Sequence, residues 1–170
     1  MTKNSTRPYP SGLTMAIFPN AIGFGYAVMK DAITVEDAQV VAIKQRPIDN
    51  QLVLNKVREK IAYFEPETIV VENTNQSKKS KRVSKLIQGI IDFAEERGVE
   101  VATYSRDDIR FVFSNFNAHS KHEIAKVIAE NVDLMKHRLM KKRRCFEGEA
   151  YATGSFDAVS LGVTHFYIST

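Results

Sequence analysis

The stretch Ala16–Val28 reads AIFPNAIGFGYAV, and the prediction of the fold begins from it. It joins a short apolar run, Leu13–Phe18, to a second run, Ile22–Met29, that is rich in aromatic and branched side chains. The pair Pro19-Asn20 between the two runs is typical of a turn. A third strand is predicted over Gln39–Lys44, so the chain begins with three closely spaced strands, which favours an antiparallel meander.

Two glycines in this stretch, Gly23 and Gly25, are spaced like those of a phosphate-binding loop. Such a loop opens a helix, and no helical pattern follows here. We therefore interpret both glycines as strand or close-packing positions, where the absence of a side chain lets another backbone approach.

Downstream of the meander, the spacing of apolar residues changes from that of strands to that of helices. Pro66 and Gly98 are the predicted ends of two helices, and each helix leads into a compact apolar strand. The predicted elements are a helix over 54–64, a strand over Thr68–Glu72, a helix over 83–94 and a strand over Val99–Tyr104.

Two more helices are predicted over Ser120–Asn131 and from Asp157 towards Phe166. Strands that follow a helix in this way join a sheet by crossover connections, which predicts an α/β architecture. The length of 170 residues suits one domain over 1–170. We expect residues 1–12 to form a flexible N-terminal segment.

Four stretches carry a further pattern: Ala16–Val28, Ile69–Asn73, Ser120–Val127 and Phe156–His165. In this order they resemble RuvC-type Holliday junction resolvases, which belong to the ribonuclease H-like superfamily. The resemblance implies a ribonuclease H-like fold with a five-stranded mixed sheet, three antiparallel strands and then two parallel ones, flanked by helices. It also implies a homodimer that acts on branched DNA.

The active site of that family holds two Mg²⁺ or Mn²⁺ ions with about four carboxylates, because hard cations prefer oxygen ligands. Glu72 matches the family's fourth-strand ligand, and Asp157 matches one ligand of its last helix. Phe18 and Gly154 stand where the family has the other two. The resemblance therefore implies Glu72 and Asp157 as catalytic or metal-binding residues of a degenerate site, with Mg²⁺ or Mn²⁺ as the cofactor if the site is catalytic.

Other residues offer alternatives to a degenerate site. Glu147 or Glu149 could supply a carboxylate and Asn20 a carbonyl oxygen, which would make the chain an active magnesium-dependent junction endonuclease. Without the resemblance, the favoured interpretation of Glu72 is an exposed residue or a partner of Lys78 or Lys81, and that of Asp157 is a residue that stabilises a helix N-terminus.

Basic residues are concentrated in two segments, although the net charge is only +4. Such concentrations suit phosphate backbones, but they also occur on solvated helix faces. The first segment holds Lys78, Lys79, Lys81, Arg82 and Lys85, and the second holds Lys136, Arg138, Lys141, Lys142, Arg143 and Arg144. The predicted contacts to nucleic acid are Lys78, Lys79, Lys81, Arg82, Lys141, Lys142, Arg143 and Arg144.

The composition excludes several classes of protein. The single cysteine, Cys145, rules out an internal disulfide and a multi-cysteine zinc site. The first residues lack the apolar core of a signal peptide, and no apolar stretch approaches the roughly 20 residues that span a membrane. We expect a cytoplasmic protein without membrane association. His165 is predicted to be a packed or hydrogen-bonded residue rather than a base.

These observations leave three candidate functions for the chain. The first is a RuvC-like protein that binds nucleic acid, DNA in particular, with a degenerate two-metal nuclease site. The second is the active endonuclease. The third is a protein-interaction domain that keeps the fold without catalysis.

Overall fold

The computed structural model describes residues 11–75, 79–139 and 149–169, and of residues 149–152 the backbone alone. The predicted flexible segment 1–12 thus lies outside the described residues except for its last two positions. Within the described ranges, no helix has both the length and the hydropathy needed to cross a membrane.

A five-stranded mixed sheet forms the centre of the fold. The strand order is β3-β2-β1-β4-β5, with β1–β2 and β2–β3 antiparallel and β1–β4 and β4–β5 parallel. The strands are β1 (Thr14–Pro19), β2 (Gly23–Met29), β3 (Val35–Ala42), β4 (Thr68–Glu72) and β5 (Glu100–Tyr104). This confirms the predicted fold class: a three-stranded meander extended by two parallel strands.

Helices cover both faces of the sheet. They are α1 (Asn50–Phe64), α2 (Lys81–Glu96), α3 (Arg106–Ser114), α4 (Lys121–Asn131) and α5 (Glu149–Ile168), with a short 3-10 turn over Asp133–Met135. Alternation along β1 divides the core: Met15 and Ile17 pack with α1 and α2, whereas Ala16 and Phe18 pack with α3, α4 and α5.

The third strand begins earlier than predicted. It was expected over Gln39–Lys44, but it covers Val35–Ala42. Ala38 is the only fully buried residue among its eight, so the apolar pattern of this edge strand is weak. A register shift at Val28/Met29 lets Met29 pair with Val35 and extends the ladder.

Helix α3 was missed in the sequence analysis. Ser105 and Asp108 form a reciprocal capping box at its N-terminus, and Ile109, Val112 and Phe113 bury its inner face. Both signals are present in the sequence, as a Ser-x-x-Asp start and a helical spacing of apolar residues.

The last helix starts at Glu149, whereas the sequence indicated a start near Asp157. Gly154 lies inside the helix, and glycine lowers helix propensity there. Packing overrides that preference. A Cβ on Gly25 would lie 2.0 Å from the carbonyl oxygen of Gly154, and a Cβ on Gly154 would lie 2.8 Å from Val40 Cγ2. The backbone of α5 therefore rests directly on β2, which confirms Gly25 as a close-packing position.

Replacing Gly25 with alanine should destabilise the fold by about 3 kcal/mol, because its new methyl group meets backbone that cannot rotate away. Denaturant unfolding measures the change. Gly89→Ala is the control: its Cβ would meet only Leu54 Cδ2, at 3.6 Å, in the middle of α2. Alanine there should raise stability by about 0.5–1 kcal/mol. Equal stability of Gly25→Ala and the unmodified chain would contradict the close contact.

Candidate functional site

An open cleft of about 1400 Å³ lies where the parallel strands end. Strands β1 and β4 deliver Phe18 and Glu72 to this edge, because Ala16 pairs with Val70 and each residue lies two positions further on. The segment after β5 begins α3 at the same edge. The basic residues that line the cleft are Lys79, Arg82, Arg106, Arg110 and Lys121.

Glu72 is the buried carboxylate of this cleft, with only 5% of its side chain exposed. Lys79 Nζ lies 2.9 Å from Glu72 Oε2, which makes an ion pair. In the described part of the chain, no hydrogen bond of favourable geometry reaches that oxygen. The ammonium group of Lys79 thus compensates a carboxylate that would otherwise be buried alone.

Lys79 makes two further contacts with the end of β1. Its Nζ lies 3.9 Å from the centroid of the Phe18 ring and donates a hydrogen bond of 3.2 Å to the Pro19 carbonyl oxygen. Its side chain is 19% exposed, so most of it is enclosed. Phe18 itself is only 7% exposed, which makes it a filling residue of the cleft floor and leaves little of its ring for stacking on a base.

Arg82 joins three segments of the chain. Its guanidinium donates to the carbonyl oxygen of Asn20 at 2.9 Å and to Asn50 Oδ1 at 3.1 Å, and Asn50 donates back to the Arg82 carbonyl at 2.9 Å. Arg82 thus connects the β1–β2 turn, the start of α1 and the start of α2. These bonds give it a structural role at the wall of the cleft.

Asn20 is used by the turn that it starts. Its Oδ1 accepts hydrogen bonds of 3.0 Å from the backbone of both Ile22 and Gly23, and its carbonyl oxygen accepts from Arg82. Both oxygens are therefore engaged within the protein. This argues against Asn20 as a ligand that completes a metal site.

Asp157 faces a second, much smaller space. It is 12% exposed, accepts a hydrogen bond of 3.2 Å from Thr153 Oγ1, and has Lys121 Nζ at 3.9 Å from Oδ1. It lines a cavity of about 10 Å³, roughly one water in size, together with Arg106 and Lys121. These two basic residues also line the cleft, so the small cavity adjoins it, and Glu72 and Asp157 have different lysine partners.

The described residues do not fit a pair of divalent cations. No group of three or more acidic, histidine or cysteine side chains converges anywhere in the described ranges. At the cleft, Glu72 is paired with Lys79, and the Phe18 ring offers no hard oxygen. A Cβ at position 154 would lie 2.8 Å from Val40 Cγ2 and 3.3 Å from Asn20 Nδ2, so a carboxylate there would require these side chains to move. Glu147 lies outside the described residues, as does the side chain of Glu149.

Three basic residues of the cleft were not predicted: Arg106, Arg110 and Lys121. A signal was available for the first two, because residues that follow neighbouring parallel strands meet at one edge of the sheet. Arg106 follows β5 just as Lys79 follows β4. Because helix α3 was not predicted, the shared position of Arg106 and Lys79 at this edge of the sheet was not recognised. Lys121 begins α4, and its place in the cleft depends on how α4 packs.

The predicted nucleic-acid contacts are only partly covered by the structure. Lys79 and Arg82 line the cleft, whereas Lys81 is exposed at the start of α2 and does not line it. In the second basic segment, Lys136 pairs with Asp133 at 2.8 Å, and Arg138 bonds to the carbonyl oxygen of Ala38. Lys78, Lys141, Lys142, Arg143 and Arg144 lie outside the described residues.

His165 and Tyr104 link the last helix to the end of β5. The Tyr104 hydroxyl lies 2.8 Å from His165 Nδ1, which confirms that His165 is a hydrogen-bonded residue. Burial lowers the pKa of His165 from 6.5, an effect that Glu100 opposes. Burial also raises the pKa of Tyr104, and the charge of Asp108 adds to this. The neutral forms of both side chains are therefore favoured in the folded state.

The ion pair at the cleft can be tested by a double-mutant cycle. Lys79→Met should destabilise the fold by about 3 kcal/mol, because it leaves Glu72 buried without a counterion. Glu72→Gln should cost about 1 kcal/mol, since Lys79 keeps the Pro19 carbonyl and can reach solvent. The double variant should recover most of the loss in urea unfolding.

The exposed pair Lys56–Glu59, 3.6 Å apart, is the control, with an expected coupling below about 0.5 kcal/mol. Equal couplings for the two pairs would contradict the burial argument.

The lowered pKa of His165 predicts a loss of stability in acid. As pH falls below 6.5, the unfolded chain takes up a proton that the folded chain resists, so stability decreases until the folded pKa is passed. His165→Gln should reduce this pH dependence in urea unfolding measured from about pH 7.5 to pH 5. His122→Gln, a change at an exposed histidine, is the control and should leave it unchanged. An identical pH dependence in both variants would contradict the assignment.

Comparison with solved structures supports the fold. Thermus thermophilus RuvC matches with a TM-score of 0.60 at 19% identity over 92% of this chain and 95% of that one. The same protein in complex with a Holliday junction substrate matches with a TM-score of 0.57 at 18% identity, over 93% and 95% of the two chains. A fowlpox virus resolvase in complex with Holliday junction DNA matches with a TM-score of 0.52 at 18% identity, over 91% and 98%.

No family model matches the sequence, and no curated protein matches it significantly. The likeness therefore lies in the arrangement of strands and helices rather than in close sequence identity. Strand order, parallel pairing and helices on both faces all agree with this likeness. The chain has the ribonuclease H-like fold seen in RuvC and the fowlpox virus resolvase.

Proposed function

We propose that this chain binds branched DNA in the cleft at the carboxyl ends of β4 and β5, and that it is a degenerate relative of the junction nucleases without two-metal cleavage. The observation that carries the proposal is the composition of the cleft. Among the described residues, five basic ones line it, and the buried carboxylate of Glu72 is neutralised by one of them, Lys79. Such a surface attracts phosphates, and within the described ranges it offers no group of three or more acidic, histidine or cysteine side chains.

The basic residues of the cleft divide into two kinds. Lys79 and Arg82 are held by contacts within the protein, whereas Arg110 is exposed on α3 and its partner Asp107 lies 3.6 Å away at the surface. Arg106 and Lys121 line both the cleft and the cavity beside Asp157. We assign the phosphate contacts chiefly to Arg106, Arg110 and Lys121, which position a backbone without reading its sequence.

The choice of branched DNA rests on the structural likeness. The T. thermophilus RuvC and fowlpox virus resolvase structures that share this fold are complexes with Holliday junctions. A homodimer follows by the same reasoning, because a junction presents two equivalent strands to a symmetric pair of sites. A cytoplasmic location and the contacts predicted for Lys78 and for Lys141 to Arg144 are part of the same proposal.

Binding should depend strongly on salt, and neutralising α3 should weaken that dependence. Fluorescence anisotropy with a four-way junction, a duplex and a single strand measures affinity over a salt series. Arg106→Ala/Arg110→Ala should weaken binding and reduce the slope of log K against log salt by about 2 if both contact phosphates. Lys44→Ala/Lys56→Ala removes the same charge from exposed positions outside the cleft and should change little.

Two results would overturn the proposal. Absence of salt-dependent binding to any of the three DNAs would favour the protein-interaction domain. Cleavage of the junction with Mg²⁺ or Mn²⁺, abolished by both Glu72→Gln and Asp157→Asn, would instead establish the active endonuclease.

A further inference from the structure

Electron-rich groups surround the ammonium group of Lys79. They include the Glu72 carboxylate at 2.9 Å, the Pro19 carbonyl oxygen at 3.2 Å and the face of the Phe18 ring, whose centroid is at 3.9 Å. They come from the ends of two adjacent strands, β1 and β4. Together they form a site for one positive charge, assembled from residues of this chain.

We propose that Lys79 is the resident cation of this site: its ammonium occupies the place beside Glu72 that a divalent cation would need, and the cleft binds nucleic acid without divalent metal. The second half rests on the proposed function, whereas the first half concerns the protein alone. Phe18 and Lys79 act together here, because the ring contacts the ammonium group.

Charge and geometry explain why a metal ion is excluded. A divalent ion bound to Glu72 Oε2 would lie within a few ångströms of the Lys79 ammonium, and like charges at that distance repel strongly where water is scarce. Binding would require Lys79 to leave its carboxylate, carbonyl and ring partners at once. The ammonium is also attached to the chain, so it competes with a dissolved ion at high effective concentration.

Phe18 favours the ammonium over a divalent ion for a chemical reason. An aromatic face attracts an ammonium group but supplies no oxygen to replace the water that Mg²⁺ or Mn²⁺ gives up on binding. Phe18 is nearly buried, so it also closes the space beside the ammonium. The Phe18 ring thus favours the Lys79 ammonium at this position, because the same ring would leave a metal ion with too few oxygen ligands.

The neighbouring acid does not rescue metal binding. Asp157 is directed towards Thr153 and Lys121, and it lines the small cavity rather than the cleft. A second basic side chain, that of Lys121, therefore stands beside the second matched carboxylate. Each of the two acids that match the nuclease pattern has its own lysine.

Binding of Mn²⁺, followed by electron paramagnetic resonance, tests the first half. The unmodified chain should show no saturable site that depends on Glu72. Lys79→Gln keeps the length of the side chain but removes its charge, and it should gain a site at least about tenfold tighter than any in the unmodified chain. Adding Glu72→Gln should abolish that gain. Lys81→Gln, at an exposed lysine two residues away, is the matched control and should gain nothing.

Binding of a four-way junction, measured in EDTA and in Mg²⁺ at equal ionic strength, tests the second half. The affinities of the unmodified chain should agree within about twofold, because phosphate binding depends on the protein's own cations. A loss of binding in EDTA would overturn this half.

The two failures can be told apart. A Glu72-dependent Mn²⁺ site in the unmodified chain, or no gain in a folded Lys79→Gln variant, would overturn the assignment of Lys79 whether or not DNA binds. Should Lys79→Gln not fold, the unmodified chain and Glu72→Gln still test the assignment. A Mn²⁺ site that is present in the unmodified chain and lost in Glu72→Gln would overturn it. Absence of DNA binding under all conditions would overturn the proposed function and leave the Mn²⁺ result standing.

Discussion

The close contact between helix α5 and strand β2 constrains much of this structure. Gly25 and Gly154 meet with so little space that a methyl group on the former would collide with the backbone of the latter. The helix can therefore lie low across the sheet, where Phe156, Val159 and Val163 complete the core on that face. The contact also sets where the polar residues of α5 lie, because a helix held at one point and packed along its length has a fixed rotation.

At the candidate site, close packing of α5 at position 154 competes with the need for a carboxylate that could bind a metal ion. The family resemblance places a carboxylate ligand at residue 154, but any side chain there would press on Val40 and Asn20. Asp157, almost one turn further along α5, is directed to Thr153 and Lys121. With Glu72 paired to Lys79, the acids are neutralised one by one, and the net character of the cleft is basic. Attraction of phosphates and poor metal binding thus have the same electrostatic origin.

Local patterns predicted the parts of the fold that carry strong local signals. The strand Thr68–Glu72 was predicted to the residue, because a buried parallel strand is an uninterrupted apolar run that ends on a charge. Edge strand β3 was misplaced, because half-exposed residues blur the alternation. Helix α3 was missed despite its capping box, and with it Arg106 and Arg110 were left out of the predicted site. The start of α5 was placed too late: Gly154 lowers helix propensity inside this segment, and tertiary packing overrides that preference.

The sequence by itself determined the order of the strands and of helices α1, α2, α4 and α5, the end of β4 at Glu72, and the absence of carboxylates at Phe18 and Gly154, since each of these follows from residue identity or from local periodicity. Only the tertiary structure decided which charges meet. That Lys79 reaches Glu72 and the Phe18 ring, that Lys121 stands beside Asp157, and that Arg106 joins the cleft all depend on side chains from separate elements. Contacts of this kind have no periodic signal along the chain, because they arise from the packing of helices on the sheet and from the low polarity that packing creates.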